Sequence, residues 1–405
     1  MEKLYYKNQY LKEFEAEITE IKIIKDKYHI ALNKTAFFPG GGGQFSDLGE
    51  LDGKKVLEVY EKDKKIYHVI SKDNYEAISN LSYVKGRVNW NRREDGMHQH
   101  LAQHILSGCF FRLFNKNTVS VHFGKDISTV DIVGHLTEEE IRKAEEMANE
   151  IIRENIKVDF LTPSENELES FNLRRDLPNT EDEIRIVKIG DLDINACCGV
   201  HPNNTLELKM IKIKKHEKNK NNTRIEFLVG NRAIKDSLNK DKIIKEICNY
   251  LSSNEEEALS AIKNLKNNIE NLLNEKRVLE EDLIKYESEQ LISNSEKIGY
   301  IRIIKNIFEE KNIDYIKRLS NNLVNKNNII CLFAIKNKEK VNIIFTCSNN
   351  ITSINMREVL KANIKNINGK GGGSKVLAQG LGENRELEFF LNNAYKGCMT
   401  VLDYR

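Results

Sequence analysis

The sequence predicts an α+β multidomain protein: a small N-terminal β-barrel domain, an α+β domain, a long coiled-coil helix and a C-terminal α/β domain. Three observations carry this reading. A chain of 405 residues exceeds what one ordinary core organises. Short β-type runs punctuated by turn residues give way near Trp90 to alternating helical and strand periodicities. Beyond Gly230 a single apolar seam runs at steps of three and four.

The first segment, 1–89, alternates the β-type runs EAEITEIKIIKDKYHIALN and KKVLEVYEKDKKIYHVIS with turn material that includes FFPGGGGQFSDLG at 37–49. The second, 90–235, opens on a helix in which Met97, Leu101, Ile105 and Ser107 or Gly108 recur at helical spacing. A strand is expected next, where Thr118, Ser120 and His122 alternate with Val119, Val121 and Phe123 to give one polar and one apolar face. TEEEIRKAEEMANEIIRENI at 137–156 reads as a helix, opened by a threonine with glutamates in its first turn. RIVKIGD, TLELKMIKIKK and RIEFLVG add strands near 185–230. In the third segment, 236–294, Ile262, Leu265, Ile269, Leu272, Lys276, Leu279, Leu283 and Tyr286 form an a/d seam over 258–290. That seam fits a homodimeric coiled coil, or a helix folded back on its own domain. The fourth, 295–405, resumes mixed strands and helices and carries a second glycine-rich stretch, NGKGGGSKVLAQGLG.

Composition narrows the function classes. Lys+Arg 63 against Asp+Glu 61 leaves no global positive field, so any nucleic-acid contact must come from local patches. Seven cysteines without a regular framework, and an N-terminus without an apolar h-region, lead us to expect a reduced, cytoplasmic protein. No run approaches the ~20 apolar residues of a transmembrane helix, so no membrane partner is expected.

Two short motifs carry chemistry. In GMHQHLAQHILSG, His100 and His104 stand four apart and share a helix face, the spacing at which two imidazoles converge on one ion. His98 does not share that face. In NACCGVHPNNT, Cys197 lies four residues before His201, and Cys198 is the competing thiol at a spacing of three. Three imidazoles and a thiolate make a tetrahedral zinc set. The alternative is a group of core histidines bonded to one another. A metalloprotease reading fails, because Leu101 occupies the position of the glutamate base after the first histidine. ATP binding at the second glycine-rich stretch fails too, since Lys375 follows Ser374 where a P-loop has the reverse order. Lys370, Gly371, Gly372, Gly373 and Lys375 remain a candidate phosphate contact. The basic tract KIKKHEKNKNNTR at 212–224 is a solvated loop or an RNA contact.

RREDGMHQHLAQHILSG, RIVKIGDLDINACCGVH and RIEFLVGNRA together resemble the editing domain of alanyl-tRNA synthetase and its free-standing AlaX relatives. TAFFPGGGGQFSDLGEL resembles the family's preceding β domain, and GKGGGSKVLAQGLG its C-terminal tRNA-binding domain, so the long AlaX form is matched over nearly the whole chain. The resemblance implies one zinc per chain on His100, His104, Cys197 and His201. This chain reads CCGVH where the family usually has CGGTH. The implied activity is hydrolysis in trans of tRNA(Ala) mischarged with serine or glycine, because a synthetase pocket cannot strongly reject an isostere that adds a hydroxyl. It also implies a pocket near the polar strand. Gln103, Ser120 and His122 are therefore candidate catalytic groups, and Gln44 a further pocket group. The rival expectation is a non-catalytic dimeric tRNA-binding protein whose four-ligand zinc is structural. A complete synthetase is not expected, since the sequence shows no ATP-binding core.

Overall fold

The computed structural model describes residues 1–71, 82–168, 170–177 and 183–403. They form two compact units, Met1–Ile247 and Cys248–Arg405.

In the first unit, six strands close into a barrel in the order β1-β2-β5-β4-β3-β6. They are Glu13–Ile24 (β1), Lys27–Leu32 (β2), Gly49–Leu51 (β3), Lys54–Lys62 (β4), Lys65–Ser71 (β5) and Tyr83–Val88 (β6). Alternate residues such as Phe14 and Ala16 on β1 and Val84 and Val88 on β6 turn into its core. The connection between β2 and β3 holds the first glycine-rich stretch, whose Gly40 to Gly43 all take positive φ.

Helix α1 (Trp90–Phe114) starts where the Asn89 side chain accepts from the Arg92 N–H, and stops at Asn115 in the left-handed region. Every residue from Gly96 to Phe110 is buried. A helix buried on all sides must find partners for its polar residues within the fold. Strands Thr118–Phe123 (β7) and Ser128–Val133 (β8), helix Glu138–Arg153 (α2), and strands Val158–Leu161 (β9), Ile186–Ile189 (β10), Asp193–Ala196 (β11), Ile211–Asn219 (β12) and Asn222–Val229 (β13) surround it. They make two antiparallel sheets, β12-β13-β8-β7 and β9-β10-β11. The expected opening of α2 is a full capping box between Thr137 and Glu140.

The strand after α1 departs from its expected pattern. Its register slips between the pairs Asp131/Ser120 and Ile132/Thr118, so Val119 bulges out and the alternation changes phase. Thr118 is buried with Phe123, whereas Ser120 and His122 are exposed on the other face. The three polar residues therefore do not share a face.

Helix α3 (Asn231–Leu251) follows. In the second unit α4 (Ala258–Ser293) is one continuous helix of 36 residues. Beyond it a six-stranded sheet runs β14-β15-β16-β17-β19-β18. Its strands are Glu296–Ile298 (β14), Ile301–Glu309 (β15), Ile329–Asn337 (β16), Lys340–Cys347 (β17), Lys370–Gly373 (β18) and Leu377–Glu383 (β19). Helices Ile313–Val324 (α5), Met356–Asn363 (α6) and Leu387–Asp403 (α7) complete the unit. Ile284 and Ser288 on α4 are buried near α5, but every seam position named above from Ile262 to Tyr286 is exposed. No helix among the described residues is long and apolar enough to cross a membrane.

Candidate metal centre

Helix α1 presents His100 and His104 one turn apart, with ring centroids 5.2 Å apart. The loop after β11 brings Cys197 and His201 to them. One donor atom from each of the four lies within 4.8 Å of the others, and the three histidines are buried. Cys197, not Cys198, joins the group: its Sγ is 3.4 Å from His100 Nε2 and 3.3 Å from His201 Nε2. Cys198 is exposed and points its thiol toward the Gly41 position.

The surroundings are built for these donors. His104 Nδ1 donates to Asp193 Oδ2 at 2.7 Å, which leaves Nε2 buried without a partner among the described residues. Asp193 is fixed through Oδ1, which accepts from Arg174 Nε and Asn195 Nδ2, each at 2.6 Å. His100 Nδ1 donates to Gln44 Oε1 at 3.1 Å, and the same oxygen takes the Val200 N–H at 3.0 Å. Arg185 lies over the Tyr6 and Phe160 rings and donates to Gly199 O at 2.8 Å, pinning the Cys197–His201 loop.

Glycine is required at two points of this shell. A Cβ on Gly199 would lie 2.2 Å from His100 Nδ1. Gly42 has φ +59 and would place a Cβ 3.3 Å from His100 Cε1. The glycine-rich stretch of the barrel therefore packs directly on the donor group.

Electrostatics favour a charged thiolate. Burial opposes it, but the imidazoles of His100, His201 and His104 hold the Cys197 thiol well below its ordinary range. Burial would likewise depress His104, yet the Cys197 and Asp193 charges raise it to about 9. Burial dominates at His201, whose pKa falls to about 3. A thiolate with imidazoles, an orphaned buried Nε2 and outer hydrogen bonds that fix ring orientation together suit a borderline-soft divalent ion. Such an ion acts as a Lewis acid toward a bound carbonyl or water.

Of the other candidate residues, Gln103 is buried and donates to Ser107 Oγ at 2.8 Å, and Thr118 donates to the same oxygen at 2.6 Å. Gln44 touches a donor residue directly. Ser120 donates to Asp131 Oδ2 at 2.6 Å, while His122 is exposed beside it on the outer sheet face. Lys370 to Gly373 form the exposed edge strand β18, with Lys375 exposed just beyond it. Asp193, Arg174 and Arg185 escaped sequence reading. Arg185 and Asp193 lie within RIVKIGDLDINACCGVH without being singled out by spacing, and Arg174 lies outside any motif.

A family model, the Threonyl and Alanyl tRNA synthetase second additional domain, matches residues 184–226, which include Cys197 and His201. The chain is 31% identical to the alanyl-tRNA editing protein AlaX-L of Pyrococcus horikoshii over 96% of both chains. The chain belongs to the alanyl-tRNA editing protein family. Its relative Aarsd1 of Mus musculus is 29% identical over 89% of this chain and 85% of its own. The alanine–tRNA ligase of Ignicoccus hospitalis is 31% identical over 67% of this chain, which spans 30% of that enzyme. The solved C-Ala domain from Aquifex aeolicus alanyl-tRNA synthetase matches 27% of this editing-family chain and 97% of its own, with 25% identity and a TM-score of 0.24.

Proposed function

We propose that the chain is a trans-editing aminoacyl-tRNA deacylase that hydrolyses Ser-tRNA(Ala), and also Gly-tRNA(Ala), with one zinc ion on His100, His104, Cys197 and His201. The observation that carries this is the convergence of those four donors within 4.8 Å in a chain matched end to end by an editing protein. Water adds to the ester carbonyl, the bond to the ribose oxygen breaks, and amino acid and free tRNA are released. Zinc supplies Lewis acidity at that carbonyl or water. The chain's own part is to fix the donors: Gln44 orients His100, Asp193 orients His104 and Arg185 holds the Cys197–His201 loop. Gln103 belongs to this reading as a buried amide one residue before His104. Ser120 and His122 enter it only if substrate reaches the outer sheet face.

In this reading the segments 1–89, 90–235, 236–294 and 295–405 are a β-barrel, the editing domain, a coiled-coil linker and a tRNA-binding domain. The exposed seam of α4 joins two chains, Lys370–Gly373 and Lys375 meet RNA phosphates, and the protein works in the cytoplasm. The second reading, a tRNA-binding protein with structural zinc, is favoured by one specific fact: four protein donors already fill a tetrahedral shell. Deacylation assays on Ser-, Gly- and Ala-tRNA(Ala) without ATP decide between them. We expect release of serine and sparing of Ala-tRNA(Ala). Zinc-loaded protein that releases no amino acid from any of the three leaves the structural reading standing.

A further inference from the structure

A cavity of about 680 Å³ opens at the first turn of α1. None of the four metal donors lines it. His98 does, and it is 5% exposed with no hydrogen bond to any described residue. Its Nδ1 edge packs on Gly230, where a Cβ would come within 2.8 Å, so Nε2 is the nitrogen left for a ligand. The cavity leaves this imidazole open to solvent, so a ligand hydroxyl that replaces water there would complete its bonding.

The rest of the lining says what that is. Arg92 lies over the Phe45 ring at 4.2 Å and is held by Ser46 O at 2.9 Å, a flat, fixed cation–π platform of the kind on which a base stacks. Lys125 is exposed and has no ion-pair partner among the described residues, which leaves its ammonium for a phosphate. Arg232 is bound to Asp95 at 2.5 Å and to Gly124 O at 3.0 Å, so it shapes the wall rather than seeking an anion. Glu94 brings a carboxylate without a hydrogen-bond or ion-pair partner among the described residues, an acceptor for hydroxyl or amino groups that would repel a bare anion. A platform, one free cation, one free acceptor and an open imidazole match a ribonucleotide better than inorganic phosphate. Phe45 adjoins Gln44, which touches His100, so the cavity and the metal donors share one loop.

We propose that this cavity binds one nucleotide of a single-stranded RNA end, with the base on Arg92, the phosphate on Lys125 and the ribose hydroxyls on Glu94 and His98. The proposal rests on the reading of the chain as an RNA-acting protein and adds to it a contact apart from the metal donors and the C-terminal edge strand.

The test titrates full-length wild type, Lys125→Glu and His98→Gln with adenosine 5′-monophosphate, its 2′-deoxy analogue and inorganic phosphate. It follows the heat of binding by isothermal titration calorimetry, with circular dichroism and zinc content as controls for folding and an intact metal group. We expect saturable binding of the ribonucleotide by wild type, weaker binding of the other two, and about tenfold weaker ribonucleotide binding in each variant, as for loss of one charged hydrogen bond. No saturable response in wild type, equal affinity in properly folded variants, or phosphate binding as tightly as the nucleotide overturns the proposal. Deacylation without nucleotide binding sinks this site alone. Nucleotide binding without deacylation sinks the proposed reaction and leaves the RNA contact standing.

Discussion

Asp193→Asn tests the metal centre most sharply, because the substitution keeps size and shape and changes only the charge and where protons sit. In the native protein Oδ1 faces two donors, Arg174 Nε and Asn195 Nδ2, and Oδ2 faces one, His104 Nδ1. Burial pushes the Asp193 carboxyl up, but His104 and Arg174 hold it below its ordinary value, so it stays ionised. An asparagine must turn its oxygen toward the two-donor side, since its NH2 there would oppose a guanidinium. The NH2 then faces His104 Nδ1, which can only accept, and the imidazole proton moves to Nε2. That nitrogen is the buried, unpartnered donor atom of the metal group. Metal binding through Nε2 requires the proton on Nδ1, the arrangement that the wild-type carboxylate favours and the asparagine opposes. Loss of such an outer carboxylate typically costs 10- to 100-fold in metal affinity, or about 1.4 to 2.8 kcal/mol. Competition between the protein and a chromophoric chelator measures it directly, with no need for a deacylation assay. A folded Asp193→Asn protein that binds zinc within about twofold of wild type would refute the tautomer argument, since 10-fold is its lower bound.

Three further outcomes follow from other parts of the molecule. Gly199→Ala should abolish stoichiometric zinc in elemental analysis, because its Cβ would sit 2.2 Å from His100 Nδ1, whereas Gly53→Ala, with nothing within 4 Å, should keep the metal and lose only about 1 to 2 kcal/mol to its left-handed φ. Leu272→Asp with Leu279→Asp, at positions 63% and 69% exposed in the isolated chain, should turn a sedimenting dimer into a monomer, and a monomeric wild type would count against the coiled coil. Arg224 hydrogen-bonds Asp131 strongly enough to outweigh burial and, with Ser120 and Asn219, lowers the carboxyl to about 2. Its stabilising effect is therefore complete above the unfolded aspartate value of about 3.9 and is lost as pH falls toward 2. The metal-free Asp131→Asn protein should lose less stability than metal-free wild type across that acid window in denaturant titrations.

What could be read from the sequence was what helical periodicity fixes. His100 and His104 are one turn apart on any helix, and Cys197 and His201 are close along the chain, so these residues announced themselves. The strand after α1 was misread because one bulged residue, Val119, reverses the facing of everything before it, and no composition signal marks a bulge. Gln44 was a candidate pocket group at the end of the glycine-rich stretch, but which donor each partner meets was illegible for another reason. Gln44 and His100 are 56 residues apart, and Asp193 and His104 are 89 apart. Only the tertiary fold makes them neighbours, and a lone Gln or Asp carries no spacing. The glycine-rich stretch looked like a flexible turn, yet its composition is set by the close approach of backbone to the His100 ring.

That approach bears on whether the metal centre can exist without the barrel. Gln44, the acceptor that orients His100, lies in the barrel's β2–β3 connection, and Tyr6 beneath Arg185 also precedes α1. Arg93 on α1 reaches back to Asp47 at 2.9 Å and to Gln9 O at 2.9 Å, so the helix that carries both histidines is anchored to the barrel by a buried charge pair. Met97 and Val200, each 1% exposed, belong to the barrel's apolar cluster although they flank the donors in sequence. Cutting before Trp90 uncovers both, at about 1.5 to 3 kcal/mol for each side chain, or about 3 to 6 kcal/mol in total. That is a large part of the 5 to 15 kcal/mol that holds a typical domain together. A fragment of residues 90–247 should therefore melt well below residues 1–247 and bind zinc at least about 10-fold more weakly, because His100 has lost its orienting acceptor. Calorimetry with and without zinc on the two fragments reads both effects. Equal zinc affinity in the two would show that the donors are held by their own segment alone, and that the barrel's glycine-rich stretch serves something other than the metal.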